Sequence, residues 1–177
     1  MFQLHTTHNL SKVKKEYHNN GYCIIKKVFT NDVLNDLLEL VISYTSGKKN
    51  HPHIHFIKNT YNQNILSSAH NLAEAIPFYR DMINHSFFKE IVEIFYDEPK
   101  SSHIFNSSYF AKPKSIALKT KEHQDNAYFN YSPAHVCTFW FPLQLSNQDN
   151  GGLFYYPLSH EIGDIDHIPE GNLGASM

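Results

Sequence analysis

His123-Gln124-Asp125-Asn126-Ala127-Tyr128-Phe129 is the stretch that decides how this chain is read, and residues 136–143 (VCTFWFPL) and 150–160 (NGGLFYYPLSH) follow it. On extended backbone, residues i and i+2 project from one face, so the imidazole of His123 and the carboxylate of Asp125 would converge on a single ion. A neutral imidazole and one hard oxygen, with positions left open, suit a divalent first-row metal. Fe(II) held by a two-histidine, one-carboxylate facial triad is the obvious case. Thirteen histidines in the chain make a bare H-x-D frequent by chance, so its surroundings carry the argument.

Upstream, Lys12 to Tyr17 reads as a short polar helix closed at Asn19-Asn20-Gly21, where glycine supplies a positive φ. The β-branched and aromatic run Tyr22 to Phe29 predicts a strand, and Thr30 offers a hydroxyl to cap the next helix. In that helix Val33, Leu34, Leu37, Leu38, Val41 and Ile42 recur at three and four, until Gly47 ends it. Residues 48–63 predict a loop with a short strand at His53 to Ile57. Helical spacing returns in residues 64–75 and 87–96, separated at Pro77. Beyond Pro99 the pattern turns β-like, in residues 104–110, 117–118, 127–131, 136–145 and 153–156, with turns between. Helices first and strands after predict an α+β domain.

At 177 residues the chain fits one domain, mainly helical over 1–99 and β-like over 100–177, with 41% hydrophobic residues to build a core. Fifteen basic and seventeen acidic side chains leave a formal charge of −2, which advertises neither nucleic acid nor an anionic membrane as partner. The apolar stretches are too short and interrupted to span a bilayer. With only Cys23 and Cys137, and no charged-then-apolar leader at Met1 to His5, the expectation is a reducing cytoplasm and no disulfide scaffold.

The three stretches together resemble the phytanoyl-CoA dioxygenase family. They match its H-Q-D, its tryptophan-bearing strand and its N-G-x-L-x-x-x-P-G-S-H turn, in that order. Lys112-Pro113 is similar to the lysine-proline of the family, and Asn20-Gly21-Tyr22 to Phe29 to its opening strand. The resemblance implies a double-stranded β-helix, or jelly roll, with the N-terminal helices packed on one sheet. It implies an oxygenase that uses Fe(II), O2 and 2-oxoglutarate to hydroxylate a small organic molecule. By matching position, His123 and Asp125 would be metal ligands, and Gln124 and Trp140 would line the pocket near the metal and the cosubstrate. Asn126 and Tyr128 would stand in the substrate wall, although Tyr128 could equally fill core between sheets. His160 matches a histidine that is not an iron ligand in the family.

The family takes its second ligand histidine, and then a basic partner for 2-oxoglutarate, from later strands. Neither is found here by position: His167 comes too early, and Arg80 is the only arginine. The expectation is therefore a jelly roll incomplete at its C-terminus, with weak iron binding, little turnover, and strand edges open to a partner chain or a second copy. A fragment or truncated form of an oxygenase is one reading. A non-catalytic paralogue or binding module that keeps the pocket is the other.

Other features have plainer readings. His51, His53 and His55 alternate, so on a strand they would share a face and could form a second metal site, but Pro52 argues against a regular strand and favours a solvated loop. Cys23 and Cys137 read as small buried hydrophobes. Lys48-Lys49 and the lysines of residues 112–121 read as solvated surface or as a guide for an anionic cosubstrate. Leu158 stands where the family's turn has glycine, a costly replacement if that position needs a positive φ.

Overall fold

The computed structural model describes residues 4–5, 7–96, 106–113, 120–132, 135–169 and 175–176. Helix α1, Leu10–Asn20, starts at Asn9, whose side chain accepts from the Lys12 amide, and stops at Gly21 with φ +81°. Helix α2, Asn31–Thr45, starts at Thr30, whose hydroxyl accepts from the Val33 amide. Its apolar repeat buries Val33, Leu37 and Val41 on one face, and fully burying a side chain such as Leu37 contributes about 2–3 kcal/mol.

A hairpin follows, β1 at Ile54–Lys58 and β2 at Asn64–Ala69, antiparallel, with a bulge between His55 and Phe56. A third strand, β3 at Tyr109–Phe110, joins the far edge of β2. Helices α3, Leu72–Ala75, and α4, Pro77–Ile83, then lead to α5, Ser86–Tyr96. Among the described residues the buried hydrophobic residues run from Val13 to Phe95, uniting these helices with Ile54 and Ala69 of the sheet. The core is thus a helical layer on a small antiparallel sheet, an α+β arrangement.

Several expectations are corrected. Residues 64–69 form a strand rather than the start of a helix. The Asn59 side chain accepts from the amides of Tyr61 and Gln63, and Asn62 takes φ +59°, so turn chemistry folds the chain back on β1 before a helix can begin. Residues 22–29 form no strand, because Lys27 turns the chain at φ +60°. Residues 126–129 form a helical turn, α6 at Asn126–Phe129, rather than a strand. It closes at Asn130 with φ +52°, while the Asn126 side chain brackets the Tyr131 backbone at 3.0 and 3.1 Å. Residues 136–145 and 153–156 are irregular, with no neighbouring strand to ladder with among the described residues. Two facing sheets are therefore not what the described residues form; besides the three-stranded sheet they hold only the short pair β4, Ile168–Pro169, and β5, Ala175–Ser176. The expected run at residues 117–118 lies outside the described residues.

Candidate metal-binding site

Residues 120–125 approach the site as irregular chain, and Asp125 adopts helical angles (φ −57°, ψ −34°) at the head of α6. The expected extended geometry therefore does not bring the pair together; a turn does. His123 Nδ1 donates to the Lys121 carbonyl at 2.8 Å, which leaves Nε2 as the ring's acceptor when the imidazole is neutral. Nε2 faces Asp125 Oδ1 at 3.4 Å. The other carboxylate oxygen, Oδ2, accepts from the Thr138 hydroxyl at 2.7 Å. The two side chains thus present one nitrogen and one oxygen toward each other, a donor pair of the kind that divalent metals take.

The His123 ring meets Tyr128 edge-on, with centroids 5.3 Å apart. Tyr155 stacks on Tyr22, and burial first, then the Asp125 carboxylate and Cys137, raise its hydroxyl above the ordinary phenol range. Trp140 is 45% exposed. Its neighbours anchor the segment: Phe139 packs edge-on against Phe88 at 5.1 Å, and Phe141 lies against Phe29 at 4.8 Å.

Gln124, expected in the pocket lining, has its amide committed elsewhere. Nε2 donates to the Gly163 carbonyl at 2.7 Å and Oε1 accepts from the Ile165 amide at 2.9 Å. The Gln124 amide donates to His167 Nε2 at 2.9 Å, and His167 Nδ1 donates to the Ile165 carbonyl. Residues 163–167 are thereby strapped across residues 123–125, and the lone pair of His167 is spent on the backbone between His123 and Asp125. Asn126, expected in the substrate wall, is engaged on Tyr131, while Tyr128 stays beside His123. Thr138 and the strap are the contributions that reading the sequence missed; no local spacing signals either, since both come from distant segments.

Two turns support this arrangement. Lys112 donates to the Thr120 hydroxyl at 2.6 Å, three residues before His123, and its stem crosses Gly151, where an added Cβ would come within 2.6 Å of Lys112 Cγ. His160 Nε2 lies 3.0 Å from the His18 carbonyl, and Leu158 donates its amide to Asn20, so the 158–160 turn docks on the end of α1. Leu158 has φ +67°.

The histidines of residues 51–55 do not form a common face. His51 and His53 lie before β1, whereas His55 pairs with His70 at 5.4 Å between centroids. His70 sits between the hydroxyls of Ser68 and Ser108, and burial, then His55 and His53, hold its pKa below the ordinary imidazole value. Among the described residues no three His, Cys, Asp or Glu side chains form a group able to hold a metal ion, and no helix is long and apolar enough to cross a membrane.

No curated protein and no solved structure matches the chain. The family model described as Phytanoyl-CoA dioxygenase (PhyH) matches residues 17–173, a span that takes in the His123–Asp125 pair, Thr138 and the strap, and the chain belongs to the phytanoyl-CoA dioxygenase family.

Proposed function

We propose that the chain is an Fe(II)- and 2-oxoglutarate-dependent oxygenase acting on a small organic substrate, with His123 and Asp125 as metal ligands. The observation that carries this reading is the pairing of Nε2 and Oδ1 at 3.4 Å, each on a group whose other end is tied. If a divalent metal is bound, His123 Nε2 and Asp125 Oδ1 are the atoms that would hold it. The pair supplies two donors of the type a divalent metal takes, with no third His, Cys, Asp or Glu joining them among the described residues, and the orienting bond on Nδ1 is the kind that metal-bound imidazoles use.

The iron, once bound, supplies O2 activation coupled to the oxidative decarboxylation of 2-oxoglutarate. The chain's own part is geometric. Lys121 and Thr138 orient the two donors, and the strap steadies the backbone between them. Trp140 stands on the cosubstrate side in this reading, Asn126 and Tyr128 on the substrate side, and Gln124 acts by holding the strap. The jelly-roll architecture of the family belongs to the same proposal, and family membership is what supports it.

A second reading, a non-catalytic binding module, draws on the openness of the site: the Asp125 side chain is 45% exposed, whereas oxidative chemistry is protected by excluding water. Anaerobic addition of 2-oxoglutarate to the Fe(II)-loaded chain separates the two. A visible charge-transfer band that is absent in Asp125→Ala, followed by O2 consumption on exposure to air, supports the oxygenase. Metal binding without either supports the module.

A further inference from the structure

We propose that Thr138 is a positioning residue for the metal centre, its hydroxyl holding Asp125 so that Oδ1, and not Oδ2, is presented to the cation; this rests on the metal-site reading above. The two candidate ligands are oriented by different means. His123 is held by its own chain, through the Lys121 carbonyl two residues earlier. Asp125 is held from a distance, by a hydroxyl thirteen residues on, at 2.7 Å.

The anchor behind that hydroxyl is firm. Cys137 and Phe141 pack against the hydrophobic core, and Phe139 lies edge-on to Phe88, itself a buried core residue. Thr138 therefore sits between Cys137, which packs on the core, and Phe139, which is exposed at 37% but held edge-on against Phe88. A carboxylate at the head of a four-residue helical turn, with its side chain 45% exposed, would otherwise rotate about its side-chain bonds. With Oδ2 engaged, rotation is restricted, and Oδ1 is the oxygen left facing His123 Nε2. A charge-assisted bond of this length is among the stronger hydrogen bonds in proteins, and loss of such orienting partners typically weakens metal affinity by about 10–100-fold.

The test uses the full chain and Co(II), a probe that does not oxidise in air, followed by visible absorption and calorimetry. Thr138→Val keeps the shape and removes the donor; Thr138→Ser keeps the donor. The expected result is a loss of about tenfold or more in Co(II) affinity for Thr138→Val, recovery in Thr138→Ser, and an unchanged melting temperature of the metal-free chain in both. Equal affinity in Thr138→Val and wild type overturns the positioning role while leaving the site standing. A Thr138→Ser variant as weak as Thr138→Val overturns it also. If wild type and Asp125→Ala bind Co(II) alike, or neither binds, the site reading and this inference fall together.

Discussion

His123 Nε2 and Asp125 Oδ1 stand 3.4 Å apart because two unrelated hydrogen bonds, from His123 to the Lys121 carbonyl and from Thr138 to Asp125 Oδ2, turn these atoms toward each other. The pair is assembled by a turn and a distant segment, not by strand alternation. Stability of the elements that bring these segments together therefore bears on the site.

Leu158 is such a place. It holds φ +67°, with its side chain half-exposed, and a left-handed conformation costs a non-glycine residue about 1–2 kcal/mol. Leu158→Gly should raise unfolding stability by about 0.5–1 kcal/mol, after the extra freedom of glycine in the unfolded chain is set against the strain relieved. Urea denaturation checks this; a loss of stability would show that leucine packing outweighs the strain.

Gly21 carries the opposite expectation. At φ +81°, an added Cβ would lie 2.5 Å from His160 Nδ1. Gly21→Ala should destabilise by about 2 kcal/mol, combining backbone strain with the steric clash. In a double-mutant cycle with His160→Ala, which removes the ring atoms at 2.5 and 2.8 Å but keeps Cβ at 3.1 Å, most of the clash component should go while the backbone part stays. Strict additivity would mean that the α1 terminus and the 158–160 turn do not meet.

The two thiols predict an alkaline limit. Burial, then Glu16, raises Cys23 from 9.0 to about 11, and burial, then Cys23, raises Cys137 from 9.0 to about 12. Because the folded values lie above the unfolded ones, this contribution to stability is whole below pH 9 and is lost as pH rises from 9 toward 12. At pH 8, iodoacetamide should modify the native chain far more slowly than the urea-unfolded chain. Equal rates would contradict the partial burial of these thiols.

Gln124→Ala should loosen the strap, leaving the bond from the residue 124 backbone amide to His167 in place. It removes the bonds to Gly163 and Ile165, each contributing about 1 kcal/mol. Amide exchange at Ile165 should then accelerate by about thirtyfold, since about 2 kcal/mol of local protection is lost. Unchanged exchange would show that the strap is held by other contacts.

Where local signals are dense, the fold was legible in the sequence. Thr30 and the three-four repeat of Val33, Leu37 and Val41 specify α2 from within fifteen residues, and Phe87, Phe88, Ile91 and Phe95 do the same for α5. Residues 64–69 are ambiguous by spacing alone, since Ile65, Leu66 and Ala69 satisfy a helix as well as a strand, and the asparagine turn before them decides for the strand. The His123–Asp125 pair is legible as a motif but its geometry is not, since a turn and not an extended segment brings the two side chains toward each other. Aromatic and β-branched letters in residues 136–145 favour a strand, yet a strand exists only where a neighbour pairs with it, and pairing is not a local property. Thr138 and the 163–167 strap were invisible for the same reason.

The central claim is tested most directly by anaerobic Fe(II) titration of wild type, His123→Ala and Asp125→Ala, read by calorimetry. The account predicts one site in the wild-type chain and an affinity at least about tenfold weaker in each variant, as expected when one of few metal ligands is removed. Identical titrations for all three chains, or no binding in the wild type, would contradict it.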